Sequence, residues 1–501
     1  MTKQTKKILP SFAQFGDKRI HFVPQKISNL SMITYLMAII ACSVLFSTHI
    51  LSLQWWIFGI INVVGFFFFA NRQTKLWINF RPMAFTKKLF WSALAIRVVW
   101  VLVSYYLYHQ WTGTPFSINA ADEFVYDASA REIAEALRNG NYNIFKTAQF
   151  SMGHYETISD LGYPMFLGLI YWIFWDSILI ARIIKAILGA WTAVLVYKVA
   201  ARNFGESTGR MAGIFCMLMP NLIYYCSFQL KEVEMVFLVM LFVERADWLL
   251  RQPKLKAMQT VAVMLIPVAL FMIRTALAAT LVAAFFCALL LTTGRVSGFG
   301  KRAVLIVVVG IFAATMFLTS TSIGTEVRQM IETGGSGQRA NMEWRAERTD
   351  MAGGLNQKFA KYAGAAVFAP MIFTIPFPTM SEVPSQENQK MIHGGNFVKN
   401  IVSYFTIMAL LILLVTGNWR KHVLPLAVLC GYLVVLVFSN FAQSERFHQP
   451  ILPLTLMFAA LGVSLIKENP WMKRYFNYWC VLMFIAAVAW NWFKLAGRGM
   501  I

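Results

Sequence analysis

Thirteen stretches of the chain are apolar over about the length a helix needs to cross a bilayer, roughly 20 residues, and this repetition constrains the fold more than any other feature. They are Leu30–Ile50, Leu53–Ala70, Leu89–His109, Ile178–Val199, Met211–Phe228, Val233–Leu250, Ala257–Ile273, Thr275–Thr293, Ala303–Thr319, Phe397–Thr416, Val423–Phe441, Ile451–Ile466 and Tyr475–Trp492. Val233–Leu250 is the weakest, because Glu244, Arg245 and Asp247 shorten its apolar part. With 58% hydrophobic and 14% charged residues and a mean hydropathy of +0.57, the lipid is the expected solvent. The expected fold is an all-α polytopic membrane protein, one membrane-embedded domain over residues 1–501 with about 13 transmembrane helices.

The formal charge of +22 would suit nucleic acid, but the basic residues sit in short clusters between apolar runs, as cytoplasmic loops of membrane proteins do. Nucleic acid is therefore excluded as a partner, and membrane lipids are expected. Lys3, Lys6, Lys7, Lys18, Arg19 and Lys26 precede a first span too long for a cleaved signal peptide, so it is expected to stay as an anchor. Cys42, Cys216, Cys226, Cys287, Cys430 and Cys480 all fall inside apolar runs without metal-ligand spacing and read as small core residues.

Charge orients the chain. A fourteenth run, Gly162–Trp175, is short, opens with Gly and Pro and is dense in aromatics. If it crossed, Arg251, Lys254 and Lys256, then Arg295, Lys301 and Arg302, then Arg420 and Lys421, would all lie outside. If it lies along the outer surface as a juxtamembrane helix, these loops return to the cytoplasm, as the positive-inside rule asks. The N-terminus is then cytoplasmic and the C-terminus external, periplasmic if the membrane is a bacterial inner membrane. On that reading a first outer loop (residues 110–177), Lys231-Glu232, a long outer loop (322–396) and Ser444–His448 share the outer face. Within the long loop, Tyr362–Thr379 is apolar but broken by Pro370, Pro376 and Pro378, which argues for an interfacial or re-entrant segment.

The first outer loop contains NAADEFVYDASAREIAEALRNG, a helical pattern opened by Asp122, Glu123 and Asp127 and closed by Gly140. Carboxylates at a helix start can simply cap it and meet its dipole. They could equally face one cavity, one taking a proton while the other positions a hydroxyl or cation. Arg182 and Lys185 share a helical face and suit a lipid phosphate or plain membrane anchoring. Lys231, Arg274 and Arg446 stand at span termini, where snorkelling competes with phosphate binding. Arg97, inside a span, should face the bundle interior. His154, His393 and His448 lack the paired spacing of metal ligands.

Taken in order, these residues resemble the GT-C superfamily of membrane glycosyltransferases, in the branch of protein O-mannosyltransferases and the lipid A aminoarabinose transferase. The matching features are Asp122-Glu123, Tyr126, Arg131-Glu132 and Gly140, then Asp160 and Gly162-Tyr163-Pro164, then Arg182 and the basic turn Arg202–Glu206. Lys231-Glu232 stands where the family has an acidic residue at a span end, and Arg446-Phe447-His448-Gln449-Pro450-Ile451-Leu452-Pro453 resembles a late arginine-proline motif. The likeness covers Asn119–Asp247 by motif and the remainder by topology; two spans precede the family's usual first one, and Glu232 follows a lysine where many relatives have Asp before proline.

The resemblance implies inverting transfer of a sugar from a polyprenyl-phosphate donor to a glycan, lipid A or protein acceptor on the outer side. Asp122 would be the base and Glu123 would orient the acceptor or a divalent metal ion, the only cofactor left open. Arg446, Lys231, Arg182 and Arg274 would hold the donor phosphate, with Glu232, Asp160 and Asp127 as further acidic candidates. Two other classes fit a polytopic basic chain. A lipid-carrier or polysaccharide transporter should show internal repeats and mid-membrane charges. An O-antigen ligase or polymerase should depend on arginines and a histidine instead of a first-loop Asp-Glu.

Overall fold

The protein is described from a computed structural model, which covers residues 19–118, 120–153, 158–252, 257–291, 304–307, 309–310, 371–384, 386–438 and 444–501. It is an all-helical membrane protein: the described residues contain helices and turns but no sheet, and seven helical segments are long and apolar enough to cross a bilayer. These are α1 (Gln25–Leu45), α2 (Leu53–Leu76), α3 (Pro82–Thr112), α7 (Ile178–Phe204), a segment near the C-terminus (Glu445–Ser464), and two more, His393–Val415 and Trp471–Ala496. Between α3 and α7 lie α4 (Ala121–Arg138), α5 (Ile144–Met152) and α6 (Gly162–Phe174). After α7 come α8 (Glu206–Leu218), α9 (Pro220–Tyr224), α10 (Glu232–Arg251), α11 (Ala257–Phe271) and α12 (Thr275–Leu291). The C-terminal part holds α13 (Glu387–Met391), α14 (His393–Val415), α15 (Val423–Phe438), α16 (Glu445–His448), α17 (Leu452–Ser464) and α18 (Trp471–Ala496).

Side-chain and backbone bonds gather the helix ends into two groups. At the lower end Arg19 Nη1 donates to Phe204 O at 2.9 Å, Ile20 N to Ser464 O at 3.0 Å, and Asn203 joins Asp247 and His422. At the upper end Gly162 N donates to Met272 O at 2.7 Å, Lys231 Nζ to Ile273 O at 3.1 Å, and His49 approaches Met500 O. Residue 19 thus sits at one end and residue 500 at the other. The acids of α10 that weakened its apolar run are paired: Glu244 accepts from Arg202 at 2.6 Å, and Asp247 from Arg251 and Asn203.

The run Met211–Phe228, expected as one continuous span, is broken. Pro220 cannot donate to the ladder, Met219 is extended (ψ 114°), and α9 starts anew at Pro220. The break leaves carbonyls at membrane depth, where each orphan costs about 1–3 kcal/mol. Arg97 of α3 supplies the missing donors, to Cys216 O at 3.1 Å and Met217 O at 3.3 Å. It is fully buried, so it faces the interior as its sequence context requires.

A second irregular stretch, residues 371–383, is buried between α14 and α18, and polar side chains of those helices serve its backbone. Ser403 Oγ donates to Phe373 O at 2.6 Å, Lys399 Nζ to Ile375 O at 2.5 Å, and Asn491 bonds Pro378 O and Met380 N. Ser403 lies ten residues into α14, about 15 Å below its start at 1.5 Å per residue. This is irregular backbone held inside the protein, a setting in which a bilayer tolerates it. The rest of the proline-broken run, and most of Ala303–Thr319, lie outside the described residues. Of the cysteines, Cys42, Cys216, Cys226 and Cys480 are buried, but Cys287 and Cys430 are exposed on α12 and α15, outside the core expected for them.

Candidate functional site

Helix α4 is amphipathic, with Glu123, Tyr126, Asp127, Ala130, Ile133, Ala134 and Leu137 buried at helical spacing. Gly140, at φ 80°, closes it in the left-handed region that glycine enters without strain. The buried stripe packs on α6. The two helices run side by side from the same start, since Tyr126 meets Tyr163 at 5.1 Å between rings and Arg138 pairs with Asp176 at 2.8 Å. Both ends of α6 belong to the upper end: its start bonds Met272, and four residues after its last turn α7 begins its descent.

The acidic start of α4 is not a helix cap. Ala120 occupies the cap position, no side chain bonds there, and the two first-turn carboxylates point elsewhere. Asp122, half exposed at 56% of its side chain, pairs with Arg446 Nη1. The same guanidinium donates through Nε to Glu232, whose side chain is 1% exposed. Beside them Lys231 pairs with Asp160, a residue held at φ 71° just before α6. Arg274 lies close enough to act on Lys231, and its guanidinium stacks on the Phe447 ring at 4.2 Å. Burial and the positive charges of Arg274 and Arg446 push the Lys231 ammonium down to about 7, against the pull of Glu232 and Asp122.

Asp122, Asp160, Lys231, Glu232, Arg274 and Arg446 therefore meet at one mouth, from five separate stretches of chain. Glu123 and Arg182 sit behind it, 3.6 Å apart and sealed from solvent. Glu123 accepts from Ser117 Oγ at 2.5 Å, Ser117 N at 3.2 Å and Gln229 N at 2.8 Å, so it braces two loops and has no oxygen turned outward to orient an acceptor. Arg182 is fully buried and none of its side-chain nitrogens makes a hydrogen bond. It offsets the charge of Glu123 and does not reach the mouth. Asp127 stands apart, bonded to Arg131 at 2.7 Å and to the Tyr171 hydroxyl across the α4–α6 contact.

Lys185, paired with Arg182 in sequence, is also sealed, and it donates to Phe228 O at 2.7 Å, to Leu230 O and to Tyr163 OH. It fixes the loop that delivers Lys231 and Glu232. Gln229 was not marked by sequence; its side chain bonds Tyr171 OH at 3.1 Å and its backbone bonds Glu123. The usable signal was a lone amide between two apolar runs, two residues before a Lys-Glu pair.

Among the described residues no three His, Cys, Asp or Glu side chains come together as a metal site. The four carboxylates at and behind the mouth each face a protein cation, a donor set that does not fit a divalent ion. His393 is interior, bonded to Tyr35 OH at 2.8 Å and Lys390 O at 2.6 Å, and His448 is buried; His154 lies outside the described residues. Compared with protein-family models and with curated proteins, the chain matches none.

Proposed function

We propose that this mouth transfers a sugar, with inversion, from a polyprenyl-phosphate donor to a hydroxyl acceptor. One observation carries the reading: an accessible carboxylate, Asp122, lies against a partly exposed guanidinium, Arg446, with Lys231 and Arg274 beside them at the upper end of the helices. The acceptor oxygen attacks the anomeric carbon as the bond from that carbon to the donor phosphate breaks. The acceptor proton passes to Asp122, and the bond pair leaves on polyprenyl phosphate, whose charge Arg446, Lys231 and Arg274 neutralise. Glu232 and Asp160 hold two of those cations, and Glu123 with Arg182 braces the helix that presents Asp122.

A donor with a polyprenyl tail cannot leave the bilayer, which suits a site at the rim of a helix bundle. Residues 19 and 500 at opposite ends fit an odd number of crossings, and our reading takes them as about 13 spans in a GT-C-like fold, with the mouth and C-terminus external and the basic lower end cytoplasmic, in a bacterial inner membrane. Asp122→Asn keeps size and removes the base, and should lower single-turnover sugar transfer by about two to four orders of magnitude. The thermal midpoint should stay near that of the wild type. Wild-type transfer by this variant would remove Asp122 from the chemistry.

A further inference from the structure

Two of the three nitrogens of Arg446 are already engaged by carboxylates. Nε serves Glu232 and Nη1 serves Asp122, so the guanidinium faces two anions before any phosphate arrives. Counted over the cluster, Asp122, Glu123, Asp160 and Glu232 balance Arg182, Lys231, Arg274 and Arg446. A phosphate that engages Arg446 through Nε or Nη1 must take the place of one carboxylate. Releasing Glu232 would strand a charge that is 1% exposed, with its second oxygen already lacking a hydrogen bond. Releasing Asp122, 56% exposed, hands its carboxylate to water at little cost.

We propose, resting on the transfer reading above, that the donor phosphate displaces Asp122 from Arg446 while Glu232 keeps its hold. Asp122 is then a guard on the empty phosphate site and a base on the filled one. The nitrogen it vacates lies next to Nη2, so a phosphate gains the two-pronged edge of the guanidinium that Asp122 now blocks. The order of events follows. The donor binds first, and only its arrival frees the carboxylate that must accept the proton.

The test is binding of sugar-free polyprenyl phosphate to the full chain in nanodiscs, with inorganic phosphate as a second probe and thermal unfolding followed in parallel. Asp122→Asn removes the competing anion and should tighten polyprenyl phosphate binding about tenfold, the equivalent of one charge-assisted bond. Glu232→Gln loosens the anchor and should weaken it. A gain in Asp122→Asn for both probes, or for the lipid alone, supports the exchange; a gain for neither overturns it. Should the wild type transfer no sugar while Asp122→Asn still binds tighter, the transfer reading falls and the exchange stands. Should the wild type transfer sugar while Asp122→Asn binds no tighter, the reverse holds.

Discussion

Lys231 is the lysine of the mouth, and its surroundings set its charge. Burial and two guanidiniums lower its ammonium to about 7, and Asp160 pairs with it directly. A lysine is protonated below its pKa, so phosphate holding by Lys231 is present under about pH 7 and fades as pH rises through that value. Asp160→Asn removes a neighbouring anion and lowers the pKa further. The alkaline limb of donor binding should therefore move to lower pH in that variant, whereas Lys231→Arg should abolish the limb. A pH titration of polyprenyl phosphate binding reads both, and coincident limbs in wild type and Asp160→Asn would contradict the assignment. At this scale the sequence was legible where charge lies at a chain turn: Asp122, Lys231, Glu232 and Arg446 converge. It misled where charge lies next to charge, because Glu123 is adjacent to Asp122 and yet faces inward. Adjacency on a helix separates two side chains by about 100°, and burial takes one of them.

The α4–α6 pair sets the height of the mouth, and its closest approach is at Gly168. A Cβ there would lie 2.6 Å from Ile133 Cγ2 and 3.2 Å from Ala130 O. Gly168→Ala should cost about 1–3 kcal/mol, read as a lowered thermal midpoint, and Ile133→Ala in the same chain should recover part of it. Simple additivity of the two losses would mean the helices do not meet there. Helix α4 was readable from its periodicity and Gly140, and the irregular stretch at 371–379 from its prolines. The break at Pro220 was equally available in the letters. It was hidden because the surrounding run is apolar enough to span, and apolarity alone does not say where the ladder stops. Only the position of Arg97, 119 residues earlier than Cys216, makes the break affordable in lipid.

On the scale of the whole molecule, the end-to-end sorting of charges makes a definite sidedness prediction. In intact cells, a cysteine placed at Trp175, 82% exposed, should react with an impermeant thiol reagent from outside, and one placed at Arg251 should not. Labelling of the Arg251 position would reverse the orientation. The sidedness is argued from basic loops because lipid makes charge placement expensive, and the labelling tests it. Which loops meet across the mouth was not legible in the sequence, since that depends on packing between helices far apart in the chain. Asp122 and Arg446 are 324 residues apart, and Glu232 and Arg446 are 214 apart. The separation has a consequence in time. During synthesis the two acids are in place long before their common cation, so the nascent protein carries an unbalanced negative patch until its penultimate spanning segment is inserted. Any chain released before Ser444 keeps Asp122 and Glu232 without the cation they share.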